Sequence, residues 1–412
     1  FMDGVKSLSN LKLRAGYGEV GNQSIGDLAQ FGLYEARYGP TMATYYGGFF
    51  EQYYNIGTAY DISGVNTGTL PSGFVSIQAA NPNLKWESTR EINLGVDFGF
   101  LKNKIVGSFD YFARTTDNIL IKPPIASAIG EGQQKWLNGA SKENHGWELS
   151  LGYQDETKGG LTYSVSTNFG ASKDKITKLP EEVVAGYKGL PDNTILGHSQ
   201  YEEFGYVADG IFQDADEVAA WPTQIGAAPG RIKYKDLNGD KVVNSLDQDW
   251  IGTYLPKLEY GLRVNLGYKS FDFSVFGSGV AGRKGVDAYI YYNNFVESRE
   301  NAAPGTLDAW TASNKSSDIP AASIVDNNNE KRMSTYLLQN NSYFKLRNLQ
   351  IGYNLPQDVV KKAGMSQLRV YFQGENMFWI TPKGYIGSDP ERTSIDRIPV
   401  PTSYSFGLSA SF

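Results

Sequence analysis

Hydrophobic and polar residues alternate with a period of two over long stretches of this chain. In "EINLGVDFGF", Ile92, Leu94, Val96, Phe98 and Phe100 fall on one face, and Glu91, Asn93, Gly95, Asp97 and Gly99 on the other. Successive side chains of an extended backbone point to opposite sides, so this spacing predicts a strand with one apolar and one polar face. Only Leu101–Asn103 separate it from "KIVGSFDYFARTT", a gap of hairpin length. The same rhythm sets Leu11, Leu13, Ala15 and Tyr17 against Lys12, Arg14 and Gly16. It sets Trp147, Leu149, Leu151 and Tyr153 against Glu148, Ser150 and Gly152, with a polar turn around Lys158–Gly160 before "LTYSVSTNFGASK". "YGLRVNLGY" turns at Lys269–Ser270 into "FDFSVFGSG"; "LRNLQIGYNL" and "LRVYFQGENMF" follow. The last stretch, "TSYSFGLSASF", alternates Tyr404, Phe406, Leu408, Ala410 and Phe412 with Ser and Gly. About a dozen strands are predicted on this pattern, and no sequence repeat of fixed period accompanies them.

Local pattern does not say which face is buried. A soluble sandwich packs its aromatic face inward, whereas a transmembrane barrel turns that face to lipid and the polar face to the lumen. Three features favour the barrel. Hairpins recur along the whole chain, with Tyr17, Tyr153, Tyr260, Tyr268 and Tyr353 at strand ends, where interfacial girdles belong. The polar faces carry full charges: Arg14, Glu91, Asp97, Glu148 and Arg263. Short turns alternate with long loops, expected from Gly18 to about Asn81, Leu120 to Asn144 and Gly279 to about Leu338. Long structureless loops are uncommon in compact soluble domains.

Composition agrees. Aromatics make up 13% of 412 residues, with 27 Tyr and 46 Gly, which suits amphipathic β-structure better than helices. No apolar run of about 18 residues offers a transmembrane helix, and no N-terminal signal is visible. The opening "FMDGVKSLSNLKLRAGYG" resembles the middle of a longer chain, and the native protein is expected to continue upstream. The net charge is -6 and no basic block occurs, so nucleic acid is not an expected partner. There is no cysteine, hence no disulfide or thiolate chemistry.

At residues 81–120 the chain resembles a family. Asn81, Pro82, Leu84, Trp86 and Glu87, followed by a hairpin carrying Tyr111 and Thr115, resemble the SusC/RagA family of TonB-dependent outer-membrane transporters of Bacteroidota. "LRAGYGEVGNQSIG" (13–26), "NHGWELSLGY" (144–153), the stretch from Pro229 to Gly282, "YFKLRNLQIGYNLP" (343–356), "ENMFWITPKGYIGSDPE" (375–391) and "FGLSASF" (406–412) match it in family order. The resemblance implies that residues 1–412 are the C-terminal part of a 22-stranded barrel with a plugged lumen and long extracellular loops. It implies an integral outer-membrane protein of a Gram-negative bacterium, importing oligosaccharides or oligopeptides. A SusD-like surface lipoprotein would serve as its lid, and TonB would deliver energy through an N-terminal part outside this chain. The final aromatic strand resembles the signal that outer-membrane barrels present to their assembly machinery. A passive porin or adhesive barrel, and a soluble secreted β-sandwich binding module, are the alternatives.

Two sets of residues are candidates for binding. In "DLNGDKVVNSLD", Asp236, Asn238, Asp240, the Val242 carbonyl and Asp247 stand at EF-hand positions, and such hard oxygens suit Ca²⁺. Lys241 occupies the position where the EF-hand has glycine, and Asp247 replaces the usual Glu. The other reading of this stretch is an Asx-rich turn without an ion. No other cofactor is expected. The aromatic loops "TMATYYGGFFEQYYN" and "AYIYYNNF" supply Tyr45, Tyr46, Tyr53, Tyr291 and Tyr292, whose ring faces suit sugar rings or apolar side chains.

Catalysis finds no support. His145 and His198 stand apart, no G-x-S-x-G occurs, and "GEGQQ" lacks the Lys-Ser/Thr of a phosphate cradle. Glu181–Glu182 and Glu202–Glu203 are adjacent and would point to opposite faces of a strand.

Overall fold

The computed structural model describes residues 7–37, 73–123, 135–185, 194–296, 302–392 and 398–412. Ten strands form its largest sheet: β1 (Leu8–Asn22), β2 (Glu87–Phe100), β3 (Ile105–Ile121), β4 (Leu137–Glu156), β5 (Leu161–Lys178), β6 (Leu258–Tyr268), β7 (Phe271–Ala281), β8 (Tyr343–Asn354), β9 (Gln367–Ile380) and β10 (Ser403–Ser411). Each pairs antiparallel with its neighbours in sequence, the order of an up-and-down barrel wall. Short turns join β2–β3, β4–β5, β6–β7 and β8–β9, the last through a short helix at Gln357–Lys362. The other five connections are long, and all lie at the opposite end of the sheet.

Register shows how the two faces are used. Leu94, Tyr111, Trp147 and Ala171 form one continuous rung across β2–β5 on the apolar face. That face is uncovered: Leu13, Ile92, Leu262, Phe271, Ile351, Phe406 and Leu408 are all exposed. A soluble sandwich would have packed a second sheet against it; a barrel wall leaves it to lipid. The soluble-sandwich alternative therefore fails. The apolar stretch runs Ile92–Phe100 on β2 and Leu161–Ala171 on β5, matching the roughly 9–11 residues of a transmembrane strand. Tyr153–Tyr163 and Phe271–Tyr353 ring pairs mark its short-turn edge, and stacked Tyr260–Phe344 marks the other.

Several strands are longer than the alternation predicts. β4 has 20 residues, about 65 Å of extended chain, whereas β6 and β7 have 11 each. The wall is tall at β3–β5 and low at β6–β7. Of the expected loop from Leu120 to Asn144, residues 120–121 and 137–144 are strand, because cross-strand pairing continues there after the apolar alternation has ended. Loss of apolar alternation ends the membrane-facing part of a strand, not the strand itself.

Among the described residues, β1 and β10 each pair on one side only. Unpaired strand edges are not tolerated in lipid, so this wall is completed by strands outside the described residues.

Candidate functional site

The lumen face is a lattice of paired charges laid over glycines. Arg14 on β1 reaches across β2. Its Nε and Nη2 donate to Asp97 at 3.0 and 2.8 Å, and its Nη1 and Nη2 donate to Asp110 on β3 at 2.7 and 2.8 Å. Gly95 lies beneath the guanidinium; a Cβ there would collide with Asp110 Oδ1 and sit 2.7 Å from Arg14 Cζ. The device recurs at the other end of the sheet. Arg369 on β9 donates through Nε to Asp272 on β7 at 2.9 Å, over Gly352 of β8. Between them Asn265 links Ser164 and Ser274 at 3.0 and 2.7 Å.

Above the low side of the wall, the β5–β6 and β7–β8 connections fold into one module. Tyr206 N donates to Met333 O, and Thr335 N donates to Tyr206 O, both at 2.9 Å. Ile232, Tyr234 and Val243 form the module's core, with Tyr206, Ala208, Phe295 and Tyr336 packed on it. Buried polar groups tie the two connections together. Gln224 Nε2 donates to Asn328 Oδ1 at 2.7 Å, Asn328 Nδ2 to Ile232 O at 2.9 Å, and Ile232 N to Glu330 Oε1 at 2.9 Å. Burial pushes the Glu330 carboxyl up from its ordinary value; the Ile232 amide and Arg231, at 3.0 Å, act against that.

A third long connection, between β9 and β10, is anchored by buried charge. Lys345 on β8 is fully buried, with Nζ at 3.1 Å from Asp389 Oδ2 and 3.0 Å from Glu391 Oε2. Asp389, also fully buried, accepts from Glu391 N and Val400 N, each at 3.0 Å. Arg347 Nη1 donates to Glu391 Oε2 at 2.6 Å. This guanidinium, above all, holds the Glu391 carboxyl down to about 2, with Lys345 and Tyr343 adding to it against the cost of burial. Arg283 Nη2 donates to Pro390 O and clips the same segment.

Tyr291 and Tyr292 lie on a short helix, Ala288–Asn293, whose N-terminal cap is the buried Asp287. Their rings meet edge to face with centroids 5.0 Å apart. The Lys331 ammonium lies 4.6 Å from the Tyr291 centroid and 5.9 Å from those of Tyr292 and Phe295. Burial lowers the Lys331 pKa from its ordinary value. Phe295 in turn meets Tyr336 at 5.8 Å, so the aromatic cluster stands on the module's core. Tyr45, Tyr46 and Tyr53 lie outside the described residues.

The 236–247 loop turns its oxygens onto its own amides. Asp236 accepts from Gly239 N and Lys241 N at 2.6 and 2.7 Å, Asn238 Oδ1 from Asp240 N at 2.8 Å, and Asp240 from Val242 N at 2.8 Å. Buried Asp247 accepts from Leu237 N and Asn244 N, both at 2.8 Å. Among the described residues, no group of three or more His, Asp or Glu gathers at a common point. Lys241, in the EF-hand glycine position, nevertheless has a φ of 66°. The backbone thus adopts the left-handed turn that the pattern requires of glycine.

Sequence reading missed Lys331, because its partner rings stand about 40 positions earlier in the chain. It also missed the chemistry of Lys345, Arg347, Asp389 and Glu391. One signal was present: Lys345 and Arg347 are two apart on a strand, two cations in an otherwise mixed segment.

The model of the TonB dependent receptor-like β-barrel family matches residues 6–377. The chain belongs to this family. TonB-dependent receptors of this kind are integral outer-membrane proteins of Gram-negative bacteria, transporters and receptors rather than enzymes. The chain is 30% identical over 429 residues to the TonB-dependent receptor SusC of Bacteroides thetaiotaomicron, covering 100% of this chain and 38% of that protein. It is 29% identical over 403 residues to the TonB-dependent receptor P3 of Formosa agariphila, covering 95% of this chain and 37% of the relative. Its fold matches a chain of the RagAB peptide transporter at a TM-score of 0.72 and 22% identity, covering 100% of this chain and 42% of that one. The chain thus spans roughly two fifths of the length of these relatives, and it is a SusC/RagA-type barrel segment.

Proposed function

We propose that this chain supplies part of the wall and five extracellular loops of an active nutrient importer. The importer takes up oligosaccharides or oligopeptides, driven by TonB through a plug-bearing part of the whole protein, with a SusD-like lipoprotein as lid. The observation that carries this is the pairing of a charged, hydrogen-bonded lumen face with a loop module that has its own core and holds Tyr291, Tyr292 and Phe295 around one ammonium. A passive pore needs the first feature but not the second. Aromatic faces beside a cation suit both sugar rings and the side chains and carboxylate of a peptide. The names of the relatives support an importer, one of them a peptide transporter. Tyr45, Tyr46 and Tyr53 extend the aromatic binding set in this proposal. A hard cation such as Ca²⁺ in the 236–247 loop is a separate part of it, supported by the oxygen spacing and the left-handed backbone at Lys241.

The test uses the full-length transporter in its own outer membrane. Uptake of labelled oligosaccharide and oligopeptide mixtures is compared between wild type, a TonB-null background and Tyr291→Ala/Tyr292→Ala. Uptake that needs TonB and drops in the double variant, with the barrel still folded, supports the reading. Uptake independent of TonB would return the passive porin. For the cation, Tb³⁺ luminescence is measured on wild type and Asp240→Ala, and equal, negligible signals would remove it.

A further inference from the structure

The sequence contains two Asn–Gly pairs, Asn138–Gly139 and Asn238–Gly239. An asparagine before glycine can close on itself, because no Cβ shields the glycine nitrogen from the side-chain amide carbon. The fold treats the two pairs in opposite ways.

Asn138 lies in β4, paired with Leu120 of β3. Its side-chain amide is held by two other segments. Nδ2 donates to Lys85 O at 2.7 Å and to Asn118 O at 2.8 Å, and Oδ1 accepts from Lys85 N at 2.6 Å. Gly139 is crowded as well, since a Cβ there would sit 3.1 Å from Pro180 Cγ. The Asn138 amide is thus fixed on Lys85 and Asn118 and cannot turn onto Gly139.

Asn238 lies in the β5–β6 connection, exposed and outside any strand or helix. Nothing stands within 4 Å of a Cβ placed on Gly239. Three local hydrogen bonds have the polarity that ring closure uses. Gly239 N donates to Asp236 Oδ1 at 2.6 Å, Asn238 Oδ1 accepts from Asp240 N at 2.8 Å, and Asn238 Nδ2 donates to Asp240 Oδ2 at 3.1 Å. The first gives the Gly239 proton a base. Being made in the peptide plane, it leaves the attacking face of the nitrogen uncovered. The second polarises the Asn238 carbonyl and stabilises the negative charge that forms on its oxygen during attack. A further bond, from Lys241 N at 2.7 Å, keeps Asp236 in place.

We propose that Asn238 deamidates spontaneously in the folded protein and that Asn138 does not. Gly239 N bonds to Asn238 Cγ while its proton passes to Asp236. The Cγ–Nδ2 bond then breaks, and the nitrogen leaves as ammonia with that proton. Water opens the cyclic imide at either carbonyl, giving aspartate or isoaspartate at position 238. Overall one water is taken up and one ammonia is lost, with no change of oxidation state. The product places a carboxylate where an amide donated to Asp240, so attraction there becomes repulsion and the loop module gains one negative charge. The reaction is independent of what the barrel imports.

The experiment uses the full-length protein in purified outer membranes, incubated near neutral pH. A chelator is present, so the outcome does not depend on a cation in the loop. Peptide mapping with electron-transfer fragmentation, which separates aspartate from isoaspartate, follows both sites in the native and the guanidinium-denatured protein. Native Asn238 is expected to convert roughly a hundredfold faster than in the denatured chain, the lower end of what a positioned base contributes. Native Asn138 is expected to show no conversion over the same period. Asp236→Asn should bring the native rate at position 238 down to that of the denatured chain. A native Asn238 that converts no faster than in the denatured chain would mean that the Asp236 hydrogen bond shields Gly239 N, and would overturn the inference. Equal native rates at the two sites would overturn it too. Both comparisons use wild type alone and stand even if Asp236→Asn loosens the loop.

Discussion

The sheet and the loop module treat hydrophobic residues in opposite ways. In the sheet, Leu13, Leu262, Phe406 and Leu408 face outward and stay exposed to the lipid side. In the module, Ile232 and Tyr234 are fully buried and Val243 nearly so, as in a small soluble domain. Polar groups are reversed too. The sheet lays Arg14, Asp97 and Asp110 on a wet inner face, while the module and the β9–β10 connection bury Asn328, Asp389 and Lys345 and satisfy them one by one. The same chain therefore follows two rules, set by which solvent each surface meets. Lipid makes outward hydrophobicity favourable and forces every backbone group into the ladder; water outside the membrane restores an inward core.

Substitutions can break this contrast or sharpen it. The largest effect is expected at Asp389→Ala, which takes from the buried Lys345 ammonium the one of its two carboxylates that is itself fully buried. Loss of one partner of a buried pair costs about 3–5 kcal/mol. The β9–β10 connection should become protease-sensitive while the barrel keeps its heat-modifiable mobility on gels. Next comes Ile232→Ala, expected to cost about 2–5 kcal/mol because it removes transfer energy and leaves a cavity. Leu262→Ala on the sheet should cost less, since lipid fills the space; chemical denaturation in detergent compares the two. If both cost the same, the two-rule account is wrong. Val264→Arg should cost about 2–4 kcal/mol if Val264 sits near the membrane midplane, and near zero if the sheet's apolar face meets water.

Acid should act on the two loop regions with opposite sign. Glu391 is held from 4.5 down to about 2 by Arg347. Its contribution is therefore complete above pH 4.5 and lost as the pH falls from 4.5 toward 2. Burial raises Glu330 and Asp287 instead, so protonation of these two favours the folded module as pH falls. Hydrogen exchange between pH 6 and 3 should open the 382–392 segment before the Ile232–Tyr234 core; the reverse order would contradict the assignment. The smallest effect is expected at Lys241→Gly. Relief of a left-handed φ at a residue with a side chain is worth about 1–2 kcal/mol, partly cancelled by the greater freedom of unfolded glycine. The net gain should be about 0.5 kcal/mol, read as a small rise in the loop module's melting temperature.

Much of the sheet was legible because a period of two is a local property. Residues 92–100 and 260–268 announce their two faces without help from the rest of the chain. The turns at Leu101–Asn103 and Lys269–Ser270 follow from where the alternation breaks, and Leu101, Lys102, Asn103 and Lys269 take the positive φ that such tight turns impose. The extent of the strands was not legible. Above His145 the residues of β4 are polar on both faces, and only pairing with β3 and β5 keeps them extended. In the aromatic cluster, Tyr291, Tyr292 and Phe295 were visible as a run of rings, but the cation between them was not.

The sequence by itself determined the all-β class, the two-faced strands, the alternation of short turns and long loops, and a motif order that points to one family. Tertiary structure alone decided which long loops share a core, how high each part of the wall stands, and which charges are buried. The reason is the range of the forces. Alternation is fixed by the geometry of adjacent residues, whereas the pairing of Lys345 with Asp389, or of Ile232 with Glu330, joins residues 44 and 98 positions apart. Such pairs gain their energy only once the barrel has brought the ends of its strands together and the loops above it have excluded water.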